Sequence, residues 1–351
     1  MVIELGFKNA YVSQRTIYDE RYQAGQYDRR SHVHVLAAER EALFRAVGRA
    51  VASNPRVRTI SLFDFGYGTG RVTNEFIGSY VKQNPASGRD LRVVAYDVSS
   101  AGLMKAYKSF CSKGFVHDGP MKWNPDATVG YIAGHVSKTM SGVTIAVVFV
   151  HGHEGQPPKV MRQLVRRANG GHKYLVTTSW YSGIGHIPGD RLRRKYFRHL
   201  GKLTARRGEM VMSVSATGDL AELQPEFAER LANGMTDGFP IKEPGDLVYE
   251  TELGQSNFYH VFSTDLNDHM RAITGWRQHW WVEGIRYPDE EFTGKPAERT
   301  NYQRVLQANY RKRNRIWAAD DYGEFHTVAA FRSAQLPPPR KPPPQKHQPP
   351  R

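Results

Sequence analysis

The chain has 351 residues, of which 40% are hydrophobic and 11% aromatic, a composition typical of a globular protein with one large domain or two. Forty-nine basic against 34 acidic residues give a formal net charge of +15, which favours polyanions as partners. No run of 18 apolar residues and no signal-peptide pattern is present, and the single cysteine, Cys111, excludes intramolecular disulfides and a thiolate zinc cluster. We therefore expect a cytoplasmic protein that does not enter a membrane.

A short apolar strand followed by a glycine-rich loop is the most informative feature. Residues 60–70 read ISLFDFGYGTG, so that Asp64 precedes glycines at alternate positions. Glycine lacks Cβ, and the chain can therefore turn sharply and approach a ligand with its backbone. Arg71 stands where a dinucleotide fingerprint needs its third glycine, and no Gly-Lys-Ser/Thr follows, which also excludes a P-loop. The loop indicates a nucleotide-type pocket at the end of a first parallel strand.

The next strand also ends in an acid. Residues Leu91–Asp97 read LRVVAYD and follow a plausible helix over Val72–Lys82. A carboxylate at the end of a second strand can accept both ribose hydroxyls of a nucleoside. Asp97 could instead only cap the following helix, Ser99–Phe110, and one residue can fill both roles.

Together, the two acid-ended strands and the glycine loop resemble the first motifs of class I S-adenosylmethionine-dependent methyltransferases. The resemblance covers residues 58–180, about a third of the chain. It implies a Rossmann-like α/β sheet that binds S-adenosyl-L-methionine. A non-catalytic module of the same fold is disfavoured, because the acids and glycines are intact. The cofactor-binding residues that the resemblance implies are Asp64, Gly66, Tyr67, Gly68, Gly70, Asp97, Val98 and His135.

Further strands continue the resemblance. Thr128–Gly134 is predicted as the third strand, and His135 follows it where the family often places an acid bound to the adenine amino group. A backbone group, a stacked imidazole or Asp118 could replace that contact. Val143–Val150 is an unbroken, mostly β-branched run, typical of a central parallel strand covered on both faces. A helix and a fifth strand are predicted beyond it, over Pro157–Ala168 and Tyr174–Thr178.

The chemistry implied by the resemblance is in-line transfer of the sulfonium methyl group, for which the protein mainly supplies alignment. A nitrogen or oxygen acceptor must also lose a proton. His151 ends the central strand and titrates near neutrality, and we predict it as the catalytic base. The alternatives are His153, His186 and Glu154, and His151 could instead only pack against the cofactor. No metal site is predicted.

The segment before the core is predicted to close the cleft. The apolar spacing of Glu39–Val51 indicates a helix. Related methyltransferases fold a helical leader over the cofactor, and residues 1–56 are therefore assigned as a lid. The substrate-side residues that we expect are Tyr22, Tyr27, His153, Trp180 and Tyr181.

Residues 57–265 form the predicted methyltransferase domain, with a substrate-side insertion over 182–245. A hairpin of Asp246–Leu253 with Phe258–Thr264 is expected to close the sheet.

Residues 266–335 are predicted to be a carboxyl-terminal extension. Within it, Trp276 and Trp280 are one helical turn apart and are expected to pack, and Tyr302–Trp317 forms a basic helix. The tail 336–351 contains eight prolines and four basic residues, and we expect it to be disordered.

The acceptor is the least constrained part of the prediction. Arg191–Arg207 forms a basic amphipathic helix, either simply solvated or a landing surface for nucleic acid or an acidic protein. The tetrapeptide that holds a flipped base in amino-methylating DNA enzymes is absent, and Cys111 lacks the Pro-Cys context of cytosine-C5 enzymes. We therefore predict a small-molecule or metabolite acceptor, with nucleic acid or protein as the alternative.

Overall fold

The computed structural model of the protein describes ten stretches of the chain. They are residues 15–25, 33–83, 88–124, 127–153, 155–180, 183–217, 245–250, 256–263, 276–286 and 325–333. Several expectations lie outside the described residues: those for Tyr27, Glu154, Tyr181, the basic helix over 302–317 and the tail 336–351.

A ten-stranded sheet forms the centre of the protein. Its strands are β1 (Thr59–Phe65), β2 (Asp90–Asp97), β3 (Val116–His117), β4 (Tyr131–Met140), β5 (Val143–His151), β6 (Tyr174–Ser179), β7 (Thr204–Thr217), β10 (Phe262–Ser263), β11 (Trp276–Arg286) and β12 (Phe325–Ser333). A separate hairpin pairs β8 (Asp246–Glu250) with β9 (Ser256–His260).

The sheet has a parallel centre in the order β5-β2-β1-β6-β7. Antiparallel strands extend both sides, β4 and β3 beyond β5, and β12 and β11 beyond β7, while β10 pairs parallel with β7. The chain starts in the middle at β1, moves outward to β5 and returns to the other side of β1. This reversal creates a switch point between β1 and β6, where open α/β sheets bind ligands. The predicted Rossmann-like fold class is confirmed.

Helices cover both faces of the sheet. They are α1 (residues 15–23), α2 (Val33–Ser53), α3 (Arg71–Gln83), α4 (Ser100–Ser112), α5 (Pro158–Ala168) and α6 (Asp190–Leu203). Side chains alternate along each strand, so that Val93 packs with α2, α3 and α4, whereas Val94 packs with α5 and α6. Leu43 of α2 is fully buried in the first layer. The predicted helix over 39–51 is therefore part of the core, and among the described residues of the assigned lid 1–56 the cleft is lined from α1. None of the described helices is long and apolar enough to span a membrane.

Two strand assignments are corrected. The predicted third strand overlaps β4, which runs antiparallel to β5 because only a tight turn around Gly142 connects them. The third parallel strand is instead β5, which pairs with β2 and lies two strands from β1. The strand predicted as the fifth, β6, lies directly beside β1 and is the fourth. The corrected strand order moves the expected ligand contacts from the end of β4 to the end of β5.

The regions after β6 also differ from the expectation. The first half of the predicted insertion 182–245 contains α6 and β7. These elements belong to the main α/β fold, because β7 pairs in parallel with β6. The hairpin of β8 and β9 forms as predicted but does not close the main sheet, a place taken by β11 and β12. Trp276 and Trp280 lie in the strand β11, so the predicted helical spacing between them was wrong.

Candidate active site

The glycine loop turns at the carboxyl end of β1 with three residues in the left-handed region. The φ angles are +75° at Gly66, +54° at Gly68 and +72° at Gly70. A Cβ on Gly68 would lie 2.1 Å from the hydroxyl oxygen of Tyr22, and one on Gly70 would lie 2.3 Å from the Tyr67 ring. Larger residues are thus excluded by both backbone conformation and space. The loop brings bare backbone to the edge of a cleft.

Asp97 joins the two acid-ended strands at this edge. One carboxylate oxygen accepts from the backbone N–H of Gly68 at 2.6 Å, and the other accepts from the N–H of Ser99 at 2.7 Å. The capping role is filled by Ser99, whose hydroxyl accepts from the N–H of Gly102. Burial raises the pKa of Asp97 to about 6, against the lowering effect of the two backbone hydrogen bonds. Asp97 borders the cleft and retains lone pairs for a ligand.

Asp64 lies beneath the loop and ties three elements together. Its carboxylate accepts from the hydroxyl of Thr73 in α3 at 2.5 Å and from that of Thr178 in β6 at 2.9 Å. The residue is 1% exposed, and burial raises its pKa to about 7. The carboxyl group of Asp64 therefore titrates near neutrality.

The helix α1 covers the cleft. The Asp19 carboxylate accepts from the hydroxyl of Ser99 at 2.6 Å and from the N–H of Ala101 at 3.0 Å, which docks α1 on the start of α4. Tyr18 and Tyr22 from the same helix line the cleft. Tyr22 therefore borders the cleft, its substrate-side role stays a prediction, and Tyr18 is a lining residue that the sequence did not single out.

Tyr18 and His186 form a hydrogen-bonded pair within the cleft lining. The two atoms, Tyr18 Oη and His186 Nε2, are 2.7 Å apart. His186 Nδ1 lies 2.7 Å from the carbonyl oxygen of Phe258, which can only accept, so Nδ1 carries the ring proton and Nε2 accepts from Tyr18. Burial lowers the pKa of His186 to about 4. The imidazole is therefore a neutral acceptor at physiological pH.

His151, predicted as the base, lies below the cleft rather than in its lining. It is 1% exposed, and its Nε2–H donates to the carbonyl of Val98 at 3.0 Å. Nδ1 is buried with no hydrogen-bond partner among the described residues. Burial lowers the pKa of His151 to about 4. The structure thus contradicts the predicted base position, because the strand that His151 ends is paired with β2 and not with β1. The Val98 side of the contact does border the cleft.

His135 is also displaced from its predicted contact. It lies inside β4 opposite Val148, three positions back from the carboxyl end of β5, and pairs with the exposed Asp118 at 3.2 Å. It does not border the cleft. The end of the third parallel strand is followed instead by Gly152 and His153, and His153 does line the cleft.

Trp180 follows the fourth parallel strand and lines the cleft, with 6% of its surface exposed, and its substrate-side role stays a prediction. Arg71 was noted in the sequence only as a departure from the dinucleotide fingerprint, yet its side chain lines the cleft too. Its guanidinium lies 3.5 Å from the carboxylate of the buried Glu39. Its position directly after the glycine loop was the available signal. Other lining residues include Phe65, Gly66, Tyr67, Gly70, Tyr96, Ile187 and Tyr196.

A buried charged network holds the loop that carries His186. Arg193 of α6 donates to the carbonyl of Ile187 at 2.8 Å and lies 3.5 Å from the Asp246 carboxylate, and both charged side chains are almost fully buried. Asp246 also lies 2.8 Å from Nδ1 of His260. The N–H of His260 donates to the carbonyl of Gly185. The hairpin of β8 and β9 is thereby fastened beside His186.

Comparison with known proteins found similar solved structures at low sequence identity. No family model and no curated protein matches the sequence. Similar solved structures include the "DhpI-SAM-HEP complex", 13% identical, which covers 92% of this chain and 97% of that chain with a TM-score of 0.43. The CcbJ methyltransferase from Streptomyces caelestis is 11% identical, covering 84% and 95% with a TM-score of 0.39. A geranyl diphosphate methyltransferase in complex with SAM is 11% identical, covering 84% and 85% with a TM-score of 0.39. TM-scores below 0.5 do not assign a function, which must be inferred from the cleft.

Proposed function

We propose that the protein is an S-adenosylmethionine-dependent methyltransferase that acts on a small-molecule acceptor. The observation that carries the proposal is the hydrogen bond from the backbone N–H of Gly68 to the Asp97 carboxylate. It brings a left-handed glycine loop and a strand-end carboxylate to one cleft at the switch point of a Rossmann-like sheet. An acid after β2, with no third fingerprint glycine and no P-loop, suits a nucleoside without a pyrophosphate.

The residues of the cleft fit this cofactor. Asp97 would accept the ribose hydroxyls, and the backbone of Gly66 and Gly70 borders the cleft where the cofactor would lie. The Val98 backbone, after the second parallel strand, and His153, after the third, would border the adenine. These two residues would make the contact that was expected of His135. When bound, the cofactor supplies a methyl group that is already activated by its sulfonium. The protein's own task is then alignment and proton removal.

Tyr18 and His186 are proposed to remove the acceptor proton. An N–H or O–H acceptor would pass its proton to the Tyr18 oxygen while the Tyr18 proton moves to Nε2 of His186, leaving an imidazolium. The Phe258 carbonyl fixes the tautomer that leaves Nε2 available. The low pKa of His186 makes the neutral imidazole a weak base, so the pair suits an acceptor with an acidic proton, such as a phenol or the ammonium formed as an amine is methylated, better than an aliphatic alcohol.

A small acceptor is supported by the cover that α1 forms over the cleft through Tyr18, Tyr22 and Asp19. Arg71 lines the cleft with its guanidinium 3.5 Å from the Glu39 carboxylate, and an acceptor with a carboxylate or phosphate would share that guanidinium with Glu39.

The proposal is tested by incubating the protein and the methyl-tritiated donor with a deproteinised cell extract, with and without nuclease. We expect radiolabel in a small organic product in both samples. A parallel incubation with the Tyr18→Phe protein controls for uncatalysed methylation. Label in nucleic acid that nuclease abolishes would reject the small-molecule acceptor, and no label in any fraction together with no binding of the donor would reject the activity.

A further inference from the structure

The layer formed by α5 and α6 presents a continuous basic surface. The two helices contain ten lysines and arginines, four in α5 and six in α6, against one acidic residue, Asp190. Of the ten, only Arg193 is buried. Asp190 neutralises one neighbour, Arg194, at 2.5 Å. This imbalance is much greater than the average for the chain.

The basic residues follow the period of a helix. Their spacings of three and four residues place them on one side of each helix. The set, called here the α5–α6 basic face, is Lys159, Arg162 and Arg166 in α5 with Arg191, Lys195, Arg198 and Lys202 in α6. The apolar residues between them, such as Leu164 and Phe197, fill the core below.

Cations of both helices contribute to the electrostatic potential at one point of the surface. Burial lowers the pKa of His199, at the surface between them, to about 4, and Arg162, Lys202, Arg198 and Lys159 all act in the same direction. Cations from α5 and α6 thus lie close enough to act on one imidazole. The four cations of α6 span 11 residues, roughly 16 Å along the axis, which a small anion cannot bridge.

We propose that the α5–α6 basic face binds the phosphate backbone of nucleic acid. None of its seven members has an acidic partner among the described residues, where the basic side chains that do pair with acids lie elsewhere or, like Arg193 and Arg194, outside the face. Arginine predominates, and its planar fork matches phosphate oxygens. Only one large apolar side chain on these helices, Val160, is exposed, so the face lacks the apolar residues that insert into a bilayer.

The face begins at the cleft edge, because α5 and α6 follow the carboxyl ends of β5 and β6. It nevertheless shares none of its residues with the cleft lining. Binding there is therefore independent of the proposed methyl transfer and is measured without any methyl donor.

The test uses the full chain and fluorescently labelled 20-nucleotide single-stranded RNA, single-stranded DNA and duplex DNA. The variant Arg191→Glu/Lys195→Glu/Arg198→Glu reverses three charges on the face. The control Lys82→Glu/Lys108→Glu/Lys113→Glu makes the same change in net charge at exposed positions of α3, of α4 and of the residue that follows α4, on the opposite side of the sheet. Circular dichroism and thermal unfolding verify that both variants fold.

We expect the face variant to lose at least about 30-fold in affinity at 100 mM salt, and its log–log salt slope for single strands to fall by about 2, which corresponds to three lost contacts. The control should lose less than about threefold. Equal losses in the two variants would reduce the effect to net charge and reject the site. Tighter binding of polyglutamate or of phosphatidylserine vesicles than of all three nucleic acids would reject nucleic acid as the partner.

Discussion

The hydroxyl of Tyr18 lies 2.7 Å from Nε2 of His186 and joins the covering helix α1 to a loop 168 residues away in sequence. The opposite ring nitrogen of His186 is fixed by the Phe258 carbonyl. The docking of α1 over the cleft therefore also forms the Tyr18–His186 pair, which is proposed to take the proton from the methyl acceptor. A cleft without α1 would leave His186 unpaired on one side.

Replacing His186 tests this relationship. Where methyl transfer to the labelled extract fraction is measurable, we expect His186→Ala and Tyr18→Phe each to slow it by roughly 10²–10⁴, because either removes one step of the proton path. Because the two act as a unit, the double variant should be little slower than either single variant. Binding of the methyl donor should change by less than about threefold.

The control for that experiment is His135→Ala, which alters an exposed histidine away from the cleft. It should leave rate and donor affinity unchanged. Additive losses in the double variant, or wild-type turnover in His186→Ala, would exclude the relay.

The glycine loop should control the docking of α1. In Gly68→Ala the new methyl group would meet the Tyr22 hydroxyl at 2.1 Å with φ at +54°, so Tyr22 must leave its site. We expect faster tryptic cleavage after Arg15 and Arg21 and weaker donor binding. Gly78→Ala is the matched control, because nothing lies within 4 Å of its Cβ and it is helical. It should stabilise the protein by up to about 1 kcal/mol. Unchanged proteolysis in Gly68→Ala would contradict the docking role.

Asp64 should make stability depend on pH with an unusual sign. The folded protein keeps its proton up to about pH 7, whereas the ordinary pKa is 3.8, so the folded state binds more protons between these values. Its contribution is fully present below pH 3.8 and is lost as the pH rises through about 7. The free energy of unfolding, measured relative to Asp64→Asn by urea denaturation, should therefore fall by a few kcal/mol between pH 4 and 8. If the difference in free energy of unfolding did not change with pH, Asp64 would be ionised in the folded protein throughout this range. If the difference rose with pH, the pKa of Asp64 would be lowered by folding and not raised.

Arg193 should contribute most of the stability of the contact between α6 and the β8–β9 hairpin. Arg193→Met leaves the fully buried Asp246 with only part of its counter-charge, and we expect a loss of about 3 kcal/mol in the free energy of unfolding. Its neighbour Arg194 pairs with Asp190 at the surface, so Arg194→Met should cost less than about 1 kcal/mol. Similar losses in chemical denaturation of the two variants would contradict a structural role for the buried pair.

The sequence predicted the local features well and the long-range order less well. The glycine loop and Asp97 are encoded within short stretches, and both were located correctly because strand ends and glycines have direct local signals. The direction of β4 and the position of His151 depend on which strands pair, and an apolar run such as 143–150 looks the same beside β1 or beside β2.

The Tyr18–His186 contact illustrates the remaining limit. His186 was considered only as an alternative base, and Tyr18 was not singled out in the sequence. Neither has a local pattern that indicates the other, because their approach depends on the docking of α1 through Asp19. Contacts between distant segments of this kind follow from packing and not from local spacing.

Calorimetric titration with S-adenosylmethionine tests the central claim most directly, with Asp97→Ala as the variant, Asp118→Ala as the exposed acidic control and NAD as the competing nucleotide. We expect a one-site isotherm for the wild type and for Asp118→Ala, and an affinity reduced by about 1–3 kcal/mol in Asp97→Ala because charged hydrogen bonds are lost. NAD should bind much more weakly. Tight binding of NAD with no heat from S-adenosylmethionine would contradict the account, and so would an Asp97→Ala protein that binds the methyl donor as the wild type does.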